Sequence, residues 1–94
     1  MVTHIVLWNF LDEVDKEATH AELKKGFAAF TGNVLGLRSF DLYRGYQGWD
    51  VCLLSTHDDR AALEAYQQFP AHLKMKQVVK STRKERASCD FEQP

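Results

Sequence analysis

The sequence predicts an α+β domain in which a chain of order β-α-β-β-α-α-β folds into a four-stranded antiparallel sheet with its helices on one face. Three observations carry that prediction: runs that alternate side chains with period two, runs with apolar residues at helical spacing, and their succession in the split β-α-β order without repeat, linker or low-complexity stretch. Ninety-four residues, 45% hydrophobic and 12% aromatic, suffice for one core and leave no room for a second, so residues 1–94 form a single domain.

From Thr3 to Phe10 the first strand sets His4, Val6, Trp8 and Phe10 on one face and Ile5 and Leu7 on the other. Apolar residues on both faces point to a central position. Asp12 to Lys16 is polar and turn-like, and Glu17 to Phe30 follows as an amphipathic helix through Leu23, Phe27 and Phe30. Gly32, Asn33 and Gly36 end it. The second strand, Leu37 to Tyr46, alternates Arg38, Phe40, Leu42 and Arg44 with Leu37, Ser39, Asp41 and Tyr43. Gly45-Tyr46-Gln47-Gly48 makes a hairpin connection to the third, Trp49 to Ser55, with Val51 and Leu53 pointing one way and Cys52 and Leu54 the other.

Thr56-His57-Asp58-Asp59 fits a helix start in which a threonine hydroxyl and a carboxylate satisfy the opening amides reciprocally. The helix is expected from about Asp58 to Gln68, burying Ala62, Leu63 and Tyr66, with His57 in the solvent-facing loop before it. Pro70 has no amide hydrogen and clashes with a preceding turn, so it ends this helix and opens a second, short one carrying Met75, Val78 and Val79. Glu85, Ala87, Cys89 and Phe91 alternate with Arg86, Ser88 and Asp90 as the fourth strand. Helices cover only one face of such a sheet, yet strands one and three are apolar on both. A homodimer through the open sheet face is therefore expected.

Charge and motif content exclude several classes. Twelve Lys and Arg against thirteen Asp and Glu leave a net charge of -1, which favours neither nucleic acid nor an anionic membrane as partner. Basic residues gather at Lys74, Lys76, Lys80, Arg83, Lys84 and Arg86, but Glu85 interrupts them, and they read mostly as the solvated face of a helix and strand, with a local anion site as the minority reading. Cys52 and Cys89 belong to no CxxC and read as buried free thiols in strands. The histidines show no HxH or HExxH spacing, so neither a metal nor another cofactor is expected. Met1 leads directly into a strand pattern without a signal peptide, and no apolar run approaches the roughly 20 residues that cross a bilayer. A cytoplasmic location is the expectation.

Candidate chemistry concentrates in Tyr66-Gln67-Gln68-Phe69-Pro70-Ala71-His72. On an unbroken helix, positions six apart point about 120° away from each other, whereas the break at Pro70 lets Tyr66 and His72 share one pocket. His72 then lies near the opening amides of the second helix, whose partial positive charge disfavours imidazolium, and a neutral imidazole can accept a proton. Tyr66 would donate a hydrogen bond to a carbonyl oxygen as negative charge develops on it. The pair suits enolisation of a small carbonyl compound. Read structurally, the same residues orient the helix junction and pack in the core. His4 is either a further pocket group or a satisfied strand histidine, Leu23 and Phe27 are plausible apolar pocket walls, and His20 faces solvent.

Val2-Thr3-His4-Ile5-Val6-Leu7, Ala62-Leu63-Glu64-Ala65-Tyr66-Gln67, Pro70-Ala71-His72 and Asp90-Phe91 together resemble the stress responsive A/B barrel, or Dabb, domain family of the dimeric α+β barrel superfamily. The resemblance spans nearly the whole chain, and the helix segment is its most specific part. It implies a ferredoxin-like protomer and a dimer whose sheets form a barrel. Its functional range covers plant stress-associated proteins, bacterial proteins and a plant polyketide cyclase. In the cyclase branch a tyrosine and a histidine of this segment carry the reaction and match Tyr66 and His72, while a first-strand histidine matches His4. The chain departs from that branch at Val51, Gly26, Arg83 and Arg86, which implies a more open and more cationic pocket with Arg86 as a binding residue. The expected function is a dimeric small-molecule binding or stress-associated protein of undetermined ligand, in which the Tyr66 and His72 pair is a candidate for cofactor-independent lyase, cyclase or isomerase chemistry on a small carbonyl or aromatic ligand. The alternative is a non-catalytic, stress-associated binding dimer, which a closed core with His72 bonded to a backbone carbonyl would favour. A cofactor-free monooxygenase has less support.

Overall fold

In the computed structural model, which describes residues 1–94, the elements follow the predicted order: β1 (Val2–Phe10), α1 (Lys16–Thr31), β2 (Leu37–Arg44), β3 (Val51–His57), α2 (Arg60–Gln68), α3 (Pro70–Thr82) and β4 (Arg83–Glu92). The strands form one antiparallel sheet of order β2-β3-β1-β4. The two strands that are apolar on both faces, β1 and β3, are the two central ones.

Directly paired residues of an antiparallel sheet share a face, so the register decides what meets what. His4 lies opposite Ser55 on one side and Asp90 on the other, and Trp8 lies between Val51 and Arg86. This face carries the core: Val6, Trp8 and Phe10 pack with Val51 and Leu53 beneath Leu23, Phe27 and Phe30 of α1 and Leu63 and Tyr66 of α2. The opposite face bears Leu7 between Cys52 and Ala87, and Ile5 between Leu54 and Cys89, with Tyr43 and Phe91 exposed at its edges. No helix covers it.

Local chemistry fixes the boundaries. Asp15 caps α1, its carboxylate accepting from the Ala18 amide at 3.0 Å. Gly36, at φ 84°, makes the left-handed turn from α1 into β2, and its carbonyl accepts from the Asp58 amide at 2.8 Å. Phe69 stays extended before Pro70, ending α2 with its amide on the Tyr66 carbonyl (3.1 Å) and opening α3 with its own carbonyl on the Leu73 amide (3.0 Å).

Several expectations are corrected. Cys89, expected as a buried thiol, is exposed on β4, and Cys52 is half-buried. β3 runs two residues further than Ser55, so His57 is no solvent-facing loop residue but a fully buried strand residue on the core face. Thr56 is consequently a strand residue whose hydroxyl meets that of Ser39 at 2.5 Å, and α2 is capped instead by Asp59, which accepts from the Ala62 amide at 2.8 Å. His20 is half-buried rather than solvent-facing, and burial, helped by Arg44 and Lys24, lowers its pKa. Helix α3 is longer than anticipated, at 13 residues, and presents Met75 and Val79 to the core while Val78 is exposed.

Candidate active site

Between α3 and the core face of the sheet lies a cavity of about 300 Å³. Its floor is His4, Val6 and Trp8 of β1 with Leu53 of β3, and Phe27 of α1 closes one side. Gln67, Gln68, His72, Lys76, Val79 and Lys80 descend along α2 and α3, and Arg83 and Arg86 of β4 complete the rim. Two other hollows, about 160 Å³ beside α1 and β2 and about 380 Å³ at the outer edge of β4, contain no histidine. Of these three, the α3 cavity alone brings two imidazoles to one space.

His72 owes its position to the break at Pro70. Its ring lies 4.5 Å from that of Tyr66, centroid to centroid, and 6.3 Å from Phe27. Nδ1 is 3.3 Å from the Gln67 carbonyl oxygen. A carbonyl only accepts, so the imidazole proton sits on Nδ1 and Nε2 carries the free lone pair. Burial lowers the His72 pKa, the Gln67 carbonyl opposes that shift, and the Lys76 and His4 charges add to it. The imidazole is neutral at neutral pH, as the sequence leads one to expect, though desolvation is the cause rather than the helix terminus.

His4 is buried, and its Nδ1 is hydrogen-bonded to the Asp90 carboxylate across the β1–β4 pair. It is thus a satisfied strand histidine that also lines the cavity. Tyr66 is fully buried; its hydroxyl has no hydrogen-bond partner and does not line the cavity. Burial raises its pKa, which keeps the phenol protonated. Behind it stands His57, 5.2 Å away by ring centroid, with Nε2 on the Ser55 hydroxyl at 2.9 Å and Nδ1 unpartnered. Burial, with the His4 charge second, lowers the His57 pKa to about 4.

The structure therefore brings together His72, His4, Phe27 and Arg86 around one space and sets Tyr66 against the back of His72. Leu23 lies in the core and is not among the lining residues. Gly26 has its own explanation: a Cβ there would lie 2.5 Å from Met75 Sδ, so the α3 thioether fills the room that glycine leaves. Sequence reasoning missed Asp90 and His57 as site residues, although strand alternation contained the signal: Asp90 shares the parity of Arg86 in β4, and His57 that of Val51 and Leu53 once β3 is extended. It also undervalued Trp8, whose Nε1 is buried without a partner in a residue that lines the cavity. No three His, Cys, Asp or Glu side chains converge as a metal site.

Comparison with known proteins comes down on the same fold. The family model described as Stress responsive A/B Barrel Domain (Dabb) matches residues 2–93. A dimeric protein of unknown function and ferredoxin-like fold from Bacteroides fragilis superposes with a TM-score of 0.86 at 24% identity, covering 97% of this chain and 94% of its own. The Arabidopsis thaliana protein At3g17210 gives 0.85 at 23% identity, covering 100% and 96%. A Dabb family protein with a ferredoxin-like fold from Mesorhizobium loti gives 0.80 at 12% identity, covering 99% and 96%. No curated protein matches the chain significantly.

Proposed function

The chain belongs to the stress responsive A/B barrel (Dabb) family, and from that premise we propose that it is a homodimer whose α3 cavity carries out cofactor-independent proton transfer on a small carbonyl compound, with His72 as the base. The observation that carries this reading is the neutral imidazole at the cavity wall, its proton committed to the Gln67 carbonyl and its Nε2 free to accept.

In the proposed step Nε2 takes a proton from the carbon beside the substrate carbonyl. The C–H electron pair becomes the enolate double bond, and the carbonyl π pair moves to oxygen. Trp8, which lines the cavity and whose Nε1–H has no partner, is the proposed donor for that oxygen. Where the enolate is conjugated with a further C=C bond it takes the proton back from His72 at the distal carbon, which is isomerisation; alternatively its carbon adds to a second carbonyl, whose π pair moves to oxygen and takes the proton from His72, which is cyclisation or aldol addition. Tyr66 supports His72 from behind and keeps its ring against the cavity, so the carried-over tyrosine acts through the histidine. The dimer half of the reading rests on the apolar open face and on the dimeric state described for the Bacteroides fragilis relative.

Turnover of a panel of β-keto and dienelactone-like compounds by wild type, His72→Gln and Tyr66→Phe tests it. The expected result is loss of about 10²–10⁴-fold in rate for the histidine variant, the usual size of a general-base contribution, with dimer and melting temperature retained. The Gln67–His72 hydrogen bond also supports a second reading, a non-catalytic binding dimer in which His72 fixes the helix junction. In that case His72→Gln lowers stability and changes no rate.

A further inference from the structure

The charges around the cavity are segregated. Of the 12 Lys and Arg residues, Lys16, Arg38, Arg44, Arg60 and Lys84 form ion pairs with carboxylates. Of the seven that form none, Lys76, Lys80, Arg83 and Arg86 line the cavity, with no carboxylate among the lining residues, while Lys24, Lys25 and Lys74 lie elsewhere. Arg83 reaches only the Lys84 carbonyl at 3.3 Å and Arg86 only the Ser88 hydroxyl at 3.4 Å. Asp90, the nearest acid by register, is held by His4.

Helix-end electrostatics accounts for part of this: Lys80 lies in the last turn of α3, where free carbonyls favour cations. It does not account for Lys76, placed four residues before Lys80, because like charges at that spacing repel along a helix. Nor does it account for Arg86, which comes from the neighbouring strand opposite Trp8. His72, Lys76 and Lys80 follow one another at intervals of four and so form one stripe of α3. At 1.5 Å per residue, Lys76 is about 6 Å and Lys80 about 12 Å along the axis from His72.

We propose that the cavity binds an anionic substrate, its carboxylate or phosphate held by Lys76, Lys80, Arg83 and Arg86 while its carbonyl end lies at His72. This rests on the reading of the cavity as a proton-transfer site and specifies which carbonyl compounds it takes: extended keto acids or keto phosphates, with the charge and the reacting carbon at opposite ends. Four cations without counterions around one concave site attract an anion more strongly than scattered surface lysines do, and that attraction is screened by salt.

Calorimetric titration of the intact protein with 7-oxooctanoate, 6-oxoheptyl phosphate and the neutral methyl 7-oxooctanoate tests the proposal. At low salt, at least one of the two anions is expected to bind at least tenfold more tightly than the ester, and the stronger of the two identifies the headgroup. The preference should shrink in high salt and in Lys76→Met/Arg86→Met, which breaks no ion pair and retains the apolar stems. The proposal is overturned if the ester binds as tightly as both anions, or if that double variant, with an unchanged melting temperature, keeps the full preference. Lys80→Met, scored identically, gives a second variant should the first fail to fold. Deuterium exchange beside the ketone, followed on the same compounds, separates the two readings. Anion preference without exchange leaves the anion site standing and removes the base, whereas exchange of all three compounds with equal affinity for ester and anions removes the anion site and leaves the base.

Discussion

Tyr66 and His57 show how a buried polar group costs stability when nothing answers it. The Tyr66 hydroxyl is closed to solvent and has no partner, and an unanswered buried hydroxyl costs on the order of 1–3 kcal/mol. Tyr66→Phe keeps the ring against His72 and removes that cost, so a rise in melting temperature is expected on calorimetric unfolding; a fall would mean that the hydroxyl is satisfied in solution. His57 acts on pH dependence. Its folded pKa is depressed from 6.5 to about 4, so the unfolded chain binds a proton in a range where the folded protein does not. The stability it contributes is fully present above about pH 6.5 and is lost as the pH falls towards 4, about 3 kcal/mol in all. Denaturant titrations at pH 7 and pH 4.5 should show that fall in wild type and a smaller one in His57→Gln, and equal falls would contradict the assignment. His72 and His20 are shifted in the same direction and add to the wild-type slope.

At the scale of elements, the turn at Gly36 and the break at Pro70 do the positioning. A Cβ on Gly36 would come 2.6 Å from that of Ala62, at a backbone φ of 84° that other residues rarely adopt. Gly36→Ala is therefore expected to destabilise by about 1–3 kcal/mol, from the strained backbone together with the displaced α2. Pro70→Ala should cost less, about 0.4–1 kcal/mol, through greater freedom of the unfolded chain. Both are read as shifts of the denaturant midpoint, and a smaller loss for the glycine variant than for the proline variant would reverse their assigned roles. Most of this layer was legible in the sequence because it depends on local chemistry: a proline without an amide, a glycine at a turn, alternation in a strand. The start of α2 was not. Thr56-His57-Asp58-Asp59 satisfies a capping pattern locally, but pairing with β1 and β2 gives Thr56 and His57 ladder partners and prolongs β3 through them. Tertiary hydrogen bonds outcompeted a local cap, and the same extension buried the histidine. The meeting of His4 with Asp90 was illegible for a related reason, since it depends on which strand β4 joins and in what register.

For the whole molecule, one sheet face builds the cavity and the other remains apolar around Ile5, Leu7, Leu54 and Cys52, with Tyr43 and Phe91 exposed beside them. The surplus was visible in the sequence as two strands apolar on both sides, and the family and fold agree with the ferredoxin-like protomer it led to. Leu7→Glu places a charge at the centre of that face, and sedimentation should show a dimer for wild type and a monomer for the variant; a wild-type monomer at micromolar concentration would remove the homodimer. The cavity lies on the opposite face, so its chemistry can be followed separately. The most direct test is proton NMR of a β-keto compound in deuterated buffer, measuring the rate at which its α-protons are replaced in the presence of wild-type protein and of His72→Gln. The cavity as described predicts acceleration by wild type that the variant loses, whereas equal acceleration by both proteins, or none by wild type, would contradict His72 as the base.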